Sequence, residues 1–211
     1  MKQPIRNVVF DLGGVLVDLE MERVREAFRA IGMPRMADLM DPCYPAEVNE
    51  RMESGAIDFH AACDEMRRID RRPEVTDRQI YDVYAAFLAR IDPEKLRAID
   101  RLRAGGIRTY VLSNTNPAAF EIIRNLFAAQ GRRMEDAFDG IGLSFRMKLL
   151  KPSPAIFERL LTEYGIRPEE SLYIDDGARN TATAESLGFN VFCLPTNGHF
   201  EAVTDALLQQ P

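Results

Sequence analysis

The chain is poor in the residues that build disulfide frameworks and imidazole metal sites. It has three cysteines, Cys43, Cys63 and Cys193, which are far apart and in no metal-ligand spacing. An odd number of scattered cysteines is typical of an intracellular protein with reduced, mostly buried thiols. The two histidines, His60 and His199, are too few for a histidine-rich metal site. These scarcities exclude a disulfide scaffold and a site built on several imidazoles.

Long apolar runs and basic runs are also missing. The apolar segment at residues 5–10 is too short for a signal peptide or a membrane span. A net charge of −6 and a pI near 5.1 argue against nucleic acid or anionic membranes as partners. We therefore expect a cytoplasmic protein, monomeric or homodimeric. Its 211 residues suffice for one domain plus a modest insert.

What the sequence does contain is an alternation of strand and helix patterns. Such alternation predicts an α/β fold, in which helices cover both faces of a parallel sheet. Strand patterns occupy residues 5–10, 107–112, 140–144, 171–174 and 190–194, and helix patterns occupy 94–104, 117–129, a stretch after Pro152, 181–187 and 201–208.

A helical stretch interrupts this alternation after the first strand. No strand pattern occurs between about residues 18 and 91, so we expect a purely helical insert between the first and second strands. Thr76 stands three residues before Gln79, which is a capping-box pattern. The helix patterns of the insert occupy residues 21–30, 45–53, 59–69 and 76–91.

Polar and charged residues follow the predicted strands of the sheet. Asp11 ends the first strand, Ser113-Asn114 end the second and Asp175-Asp176 end the fourth, while Lys151 lies in the loop beyond the third. In open parallel sheets, ligands bind at the carboxyl ends of the strands. Three carboxylates, a hydroxyl group and an amine are therefore expected to converge on one site.

This set of groups suits phosphoryl transfer. Clustered carboxylates need a hard cation, and Mg²⁺ is held by one or two carboxylates together with phosphate oxygens. Lys151, the Ser113 hydroxyl and backbone N–H groups of the Gly13-Gly14 turn can bind a phosphate. A carboxylate beside the phosphorus can attack it and form an aspartyl-phosphate. The sequence thus favours Mg²⁺-dependent chemistry on a small phosphorylated metabolite.

Four segments of the chain resemble the four motifs of the haloacid dehalogenase superfamily. They lie in the expected order at residues 8–17, 111–116, 151–157 and 173–180. The variants Phe-Asp-Leu-Gly-Gly and Leu-Ser-Asn-Thr-Asn are most similar to the branch that contains α-glucose-1-phosphate phosphatases. The resemblance implies a Rossmann-like doubly wound parallel sheet, the core (residues 1–17 and 92–211), and an inserted helical-bundle cap (residues 18–91).

The resemblance also implies roles for individual residues. Asp11 is the expected nucleophile and Lys151 the expected bridge between Asp11 and the phosphate. The Ser113 hydroxyl and the Asn114 N–H group are expected to hold the phosphate.

For the metal, the implied Mg²⁺ ligands are Asp11, the backbone carbonyl of Gly13 and Asp176. Asp175 is expected either to ligate the metal or to support its ligands. Asn180 stands where a second acidic residue often occurs, and we expect it to orient Lys151 or Asp176.

Gly13 is a departure from the family pattern. Most phosphatases of the superfamily carry an Asp there as general acid and base, a group worth ~10²–10⁴-fold in rate. A sugar 1-phosphate tolerates this loss better than other substrates because its anomeric oxygen leaves more easily than an ordinary alkoxide. The cap carboxylates Glu47, Glu50 and Glu53 are candidate replacements.

Three other functions compete with a phosphatase. A 2-haloacid dehalogenase also lacks the second Asp, but it attacks carbon without a metal, and the pair Asp175-Asp176 favours a metal. In a phospho-signalling receiver the acidic pair precedes the phosphorylated Asp, whereas here it comes last. A non-catalytic binding protein of the same fold is supported only by Gly13.

Overall fold

A five-stranded parallel sheet forms the centre of the molecule. The computed structural model describes residues 3–40 and 47–209. The strand order is β5-β4-β1-β6-β7, and every neighbouring pair is parallel, as the alternation predicts. The strands are β1 (Asn7–Phe10), β4 (Arg108–Ser113), β5 (Gly140–Leu143), β6 (Ser171–Asp175) and β7 (Asn190–Cys193).

The central strand β1 connects two layers of the core. Its four residues are all buried, which explains why its sequence is almost entirely apolar. Val8 and Phe10 pack into one apolar cluster, while Val9 packs into a second cluster with Tyr173 of β6. Successive side chains of a strand point to opposite faces, so one short strand supplies both helical layers.

Helices cover both faces of the sheet, and two of them were not predicted. The two short helices have four residues each, α8 (Met134–Ala137) and α9 (Ser144–Met147). A helix of this length is too short for its 3.6-residue periodicity to be detected in the sequence. The core helices are α6 (Pro93–Ala104), α7 (Pro117–Ala129), α8 (Met134–Ala137), α9 (Ser144–Met147), α10 (Pro154–Tyr164), α11 (Ala178–Ser186) and α12 (Glu201–Leu207).

The described residues of the insert form five helices, where four patterns were predicted. The additional helix is α2, which begins at a proline and has only five residues. The capping box of Thr76 and Gln79 is confirmed. The predicted start of the second pattern, at residues 45 and 46, lies outside the described residues. The helices are α1 (Met21–Ala30), α2 (Pro34–Asp38), α3 (Glu47–Glu53), α4 (Phe59–Asp70) and α5 (Asp77–Phe87).

The prediction that no strand lies between residues 18 and 91 is wrong. Strand β2 (Asp18–Leu19) pairs antiparallel with β3 (Leu88–Arg90), and the fifth helix therefore ends at Phe87 rather than at Ile91. Two or three residues carry no detectable alternation, so this pairing is invisible in sequence. The two strands are the entry and the exit of the insert. The division at residues 17 and 91 itself stays a prediction.

Across the part of the chain that the structure describes, no helix combines the length and the apolar character that crossing a bilayer requires.

A buried ion pair ties this two-stranded junction to the core. The Asp18 carboxylate lies 2.9 Å from Arg90 Nε and 3.1 Å from Lys95 Nζ. The Lys95 side chain is completely buried on α6, whereas the Arg90 side chain is three-quarters exposed. Burial alone would raise the pKa of Asp18, but the hydrogen bonds from Arg90 and Lys95 lower it below its ordinary value. The junction is therefore held mainly by the buried amine.

Replacing Lys95 with methionine tests this assignment. Lys95→Met removes the buried partner and leaves Asp18 with only the exposed Arg90 as a counter-charge, so we expect the free energy of unfolding to fall by about 3 kcal/mol. Arg90→Met is the matched control and should cost less than about 1 kcal/mol, because that side chain is exposed. Urea denaturation of both variants makes the comparison. Equal costs would contradict a dominant role for Lys95.

Candidate active site

Asp11 lies immediately after the central strand, with its carboxylate at the carboxyl edge of the sheet. One carboxylate oxygen accepts a hydrogen bond from the Leu12 N–H at 2.7 Å, and the other lies 2.9 Å from Lys151 Nζ. Burial, opposed by Lys151 and reinforced by the charges of Asp175 and Asp176, raises the pKa of Asp11 to about 7. An acid in this position needs positive charge to stay ionised.

Lys151 supplies that charge and is itself fixed in place. Its amine lies 2.6 Å from Asp175 Oδ2 as well as 2.9 Å from Asp11. Burial would lower the pKa of Lys151, but the two carboxylates raise it above its ordinary value. The Asn114 side-chain amide fixes the backbone of Lys151. The amide accepts a hydrogen bond from the Lys151 N–H at 2.9 Å and donates one to the Lys151 carbonyl at 3.0 Å. The peptide bond to Pro152 is cis.

Asp175 is fully buried, and four donors surround its carboxylate. Besides Lys151, they are the Tyr173 hydroxyl, the Gly177 N–H at 2.6 Å and the Asn180 amide at 3.0 Å. Burial would raise the pKa of Asp175, but Lys151 and the other donors lower it. Asn180 therefore orients Asp175, whereas we expected it to orient Lys151 or Asp176.

Sequence reasoning missed Tyr173. Its hydroxyl donates to Asp175, which lies two residues further along the same strand. Residues two apart on a strand point to the same face. The spacing of two residues could have indicated this contact. The sequence alone, however, does not distinguish a tyrosine with this role from an ordinary core residue of an apolar strand.

Asp176 provides a carboxylate suited to a hard cation. One oxygen from each of Asp11, Asp175 and Asp176 lies within 4.8 Å of the others. Burial and the neighbouring Asp175 raise the pKa of Asp176, so this cluster of acids is short of positive charge. Thr196 donates to Asp176 Oδ2 at 2.6 Å and orients it. An all-oxygen set with excess negative charge fits Mg²⁺.

Glycine is required at position 14 because of this carboxylate. Gly14 has a φ of +73°, and a Cβ atom there would overlap Asp176 Oδ2. The Asn197 N–H donates a hydrogen bond to the Gly14 carbonyl at 2.7 Å. The Asn197 side chain accepts from the Leu19 N–H and donates to the Leu19 carbonyl. The loop after β7 therefore contacts both the carboxylate cluster and the entry of the insert.

Ser113 and Asn114 lie at the end of β4, beside the end of β1, as predicted. Ser113 is buried and its hydroxyl lies 3.4 Å from the Asn114 carbonyl, which is a weak contact. The structure thus brings the Ser113 hydroxyl to the edge of the sheet where Asp11 lies. The Asn114 side chain has the structural role described above, which leaves its backbone N–H for a ligand.

Comparison with known proteins agrees with this geometry. The family model of haloacid dehalogenase-like hydrolases matches residues 5–188. The D-ribitol-5-phosphate phosphatase of Bacteroides thetaiotaomicron is 30% identical over 195 residues, which is 92% of this chain and 93% of that enzyme.

Two solved structures have the same fold. A haloacid dehalogenase-like hydrolase from Porphyromonas gingivalis is 36% identical, with a TM-score of 0.90, over 99% of this chain and 100% of the other. A family enzyme from B. thetaiotaomicron, in complex with magnesium and inorganic phosphate, is 31% identical, with a TM-score of 0.87, over 94% and 98%.

The match covers both the sheet that positions the carboxylates and the inserted helices. The predicted Rossmann-like doubly wound core is confirmed, and so is the superfamily. The chain belongs to the haloacid dehalogenase-like hydrolases.

Proposed function

We propose that this hydrolase is a Mg²⁺-dependent phosphatase that acts on a small phosphorylated metabolite. The observation that carries the proposal is that the Asp11 carboxylate lies 2.9 Å from a buried amine, Lys151, and within 4.8 Å of an oxygen of Asp176. A nucleophile, a fixed positive charge and a cation ligand are the parts that phosphoryl transfer needs. The relation to a sugar-alcohol phosphate phosphatase supports the same conclusion.

In this proposal Asp11 attacks the phosphorus and forms an aspartyl-phosphate. Lys151 neutralises charge on the phosphate oxygens, and the Ser113 hydroxyl and Asn114 N–H hold the phosphate in line with Asp11. Water then cleaves the aspartyl-phosphate and regenerates Asp11. The roles of these four residues rest on the family motifs together with their placement at one edge of the sheet.

Asp11, Asp176 and the backbone carbonyl of Gly13 would hold Mg²⁺. When bound, the ion would neutralise charge that develops on the phosphate oxygens. Asp175 is the weaker candidate ligand because its oxygens already accept from Lys151, Tyr173 and other donors. We propose that Asp175 instead holds Lys151 in place.

The substrate class we propose is a sugar or sugar-alcohol phosphate. The related phosphatase of B. thetaiotaomicron acts, by its name, on D-ribitol 5-phosphate. The resemblance of two motifs to α-glucose-1-phosphate phosphatases favours a sugar 1-phosphate instead. The choice between these two substrates stays a prediction.

A panel of phosphate esters tests the proposed function. We expect Mg²⁺-dependent release of phosphate from sugar and sugar-alcohol phosphates, and loss of that release in EDTA with recovery on adding excess Mg²⁺. The same preparation is assayed with a 2-haloacid in the absence of metal. Halide release together with inertness toward every phosphate ester would replace the phosphatase with the dehalogenase alternative.

Asp11→Asn tests the nucleophile. An amide cannot form the aspartyl-phosphate, so turnover should fall by about 10⁴-fold or more, as when a covalent nucleophile is removed elsewhere. The circular dichroism spectrum should not change, because the substitution preserves the size of the side chain. Asp136→Asn, on the exposed face of α8, is the control and should keep full activity. Normal turnover by Asp11→Asn would refute the assignment.

Thr196→Val tests the support of the metal ligand. Without the hydroxyl that donates to Asp176, the affinity for Mg²⁺ should fall by ~10–100-fold, the range typical of residues that orient a metal ligand. Titration calorimetry with Mg²⁺ measures it directly. Thr162→Val, on the exposed side of α10, should not change the affinity. If both variants bind Mg²⁺ equally well, Thr196 does not position Asp176.

A further inference from the structure

The proposed reaction needs a proton donor that position 13 does not supply. An alkoxide leaving group must be protonated as it leaves, and Gly13 has no side chain. A Cβ atom there would lie 3.3 Å from Leu19 Cδ2, so a side chain at this position would press on Leu19. A donor must therefore reach the site from another part of the chain.

We propose that Glu53, the last residue of α3 in the cap, is the general acid and base of this reaction. The inference rests on the proposed phosphatase function and adds one catalytic residue to it.

Hydrogen bonds fix the backbone of Glu53 next to the phosphate-binding segment. Its carbonyl accepts from the Ser144 hydroxyl at 2.6 Å, and the same hydroxyl oxygen accepts from the Thr115 N–H at 3.0 Å. Thr115 directly follows Ser113 and Asn114 in sequence. One buried serine thus joins the end of α3 to the loop that is proposed to hold the phosphate.

A second contact holds the next residues of the cap against the core. Lys148 donates to the Gly55 carbonyl at 2.6 Å. Gly55 has a φ of +66°, and a Cβ atom there would overlap the Phe145 carbonyl oxygen. The absence of a side chain at position 55 lets the cap approach this closely. The backbone at the end of α3 is therefore anchored to the core at two points, the carbonyl groups of residues 53 and 55.

The Glu53 carboxyl group is available for chemistry. Among the residues that the structure describes, none forms a hydrogen bond or an ion pair with it, although the side chain is half-buried. The charged groups that act on it are Asp11 and Lys151 from the core and Glu50 from its own helix. The nearby Tyr84 hydroxyl of α5 donates instead to the Asn49 side chain.

The other two cap candidates do not share these features. Glu47 and Glu50 are exposed on α3. Burial and the charges of Asp11 and Glu50, opposed by Lys151, together raise the pKa of Glu53 to about 7. A carboxyl group with a pKa near neutrality can both give and accept a proton at physiological pH, which is what general acid–base catalysis requires.

Glu53 gives up a proton in the first step and regains one in the second. As Asp11 Oδ forms a bond to phosphorus, the bond to the leaving oxygen breaks, and that oxygen takes the proton of Glu53 and departs as an alcohol. In the second step a water oxygen bonds to phosphorus and gives its proton to Glu53. The bond to Asp11 breaks, its electron pair returns to the carboxylate, and inorganic phosphate is released.

Glu53→Gln, assayed on two kinds of phosphate ester, tests the proposal. An ester of an ordinary alcohol, such as a sugar-alcohol phosphate, needs the acid, so its turnover should fall by ~10²–10⁴-fold. A nitrophenyl phosphate has a leaving group that needs no proton, so Asp11 should still be phosphorylated. Without the base, the aspartyl-phosphate should accumulate, giving a burst of nitrophenolate equal to the enzyme concentration before slow turnover.

Glu47→Gln, at an exposed position of the same helix that does not act on Glu53, is the matched control and should behave like the wild-type protein. Wild-type rates for Glu53→Gln on sugar-alcohol phosphates would overturn the proposal and leave the phosphatase function standing. Equal losses on both esters with no burst would assign Glu53 a structural role and also overturn it. A wild-type protein inert toward all phosphate esters would refute the proposed function, and the role of Glu53 with it.

A second variant covers the case in which Glu53→Gln does not fold. Glu53→Ala leaves space for a small carboxylic acid, so added formate should restore part of the turnover on sugar-alcohol phosphates. The absence of any restoration in a folded Glu53→Ala protein would count against a proton-transfer role.

Discussion

The buried amine of Lys151 is the contact on which the rest of the site depends. Two carboxylates, Asp11 and Asp175, lie within 3 Å of it, and neither would stay ionised in this environment without a cation. Several neighbouring groups keep this amine in place. The Asn114 amide fixes its backbone, and Asp175 is in turn held by Tyr173 and Asn180. The result is a fixed positive charge beside the proposed nucleophile.

Lys151 balances only part of the negative charge. Asp176 lies in the same cluster but is oriented by the neutral hydroxyl of Thr196, so three carboxylates share a single ammonium group. This excess of negative charge suits the cluster to a divalent cation. It also separates the two adjacent acids: Asp175 faces the lysine, and Asp176 faces the position proposed for the metal.

Much of this arrangement could be predicted from sequence. Parallel strands place their carboxyl ends at one edge, so Asp11, Asp175 and Lys151 could be brought together without knowing any distance. The contacts that could not be predicted depend on side chains from distant segments. Nothing in the sequence around Asn114 shows that its amide bonds the backbone of Lys151, 37 residues away. The pairing of β2 with β3 was missed because a ladder this short has no periodicity.

The tight joint between the cap and the core constrains how the cap can be exchanged. Gly55 fits against the Phe145 carbonyl only because it has no side chain. A chimaera that takes its inserted helices from a relative must therefore keep a glycine at position 55. Exchange of this insert among relatives is limited by that one point of close fit to the backbone of the core.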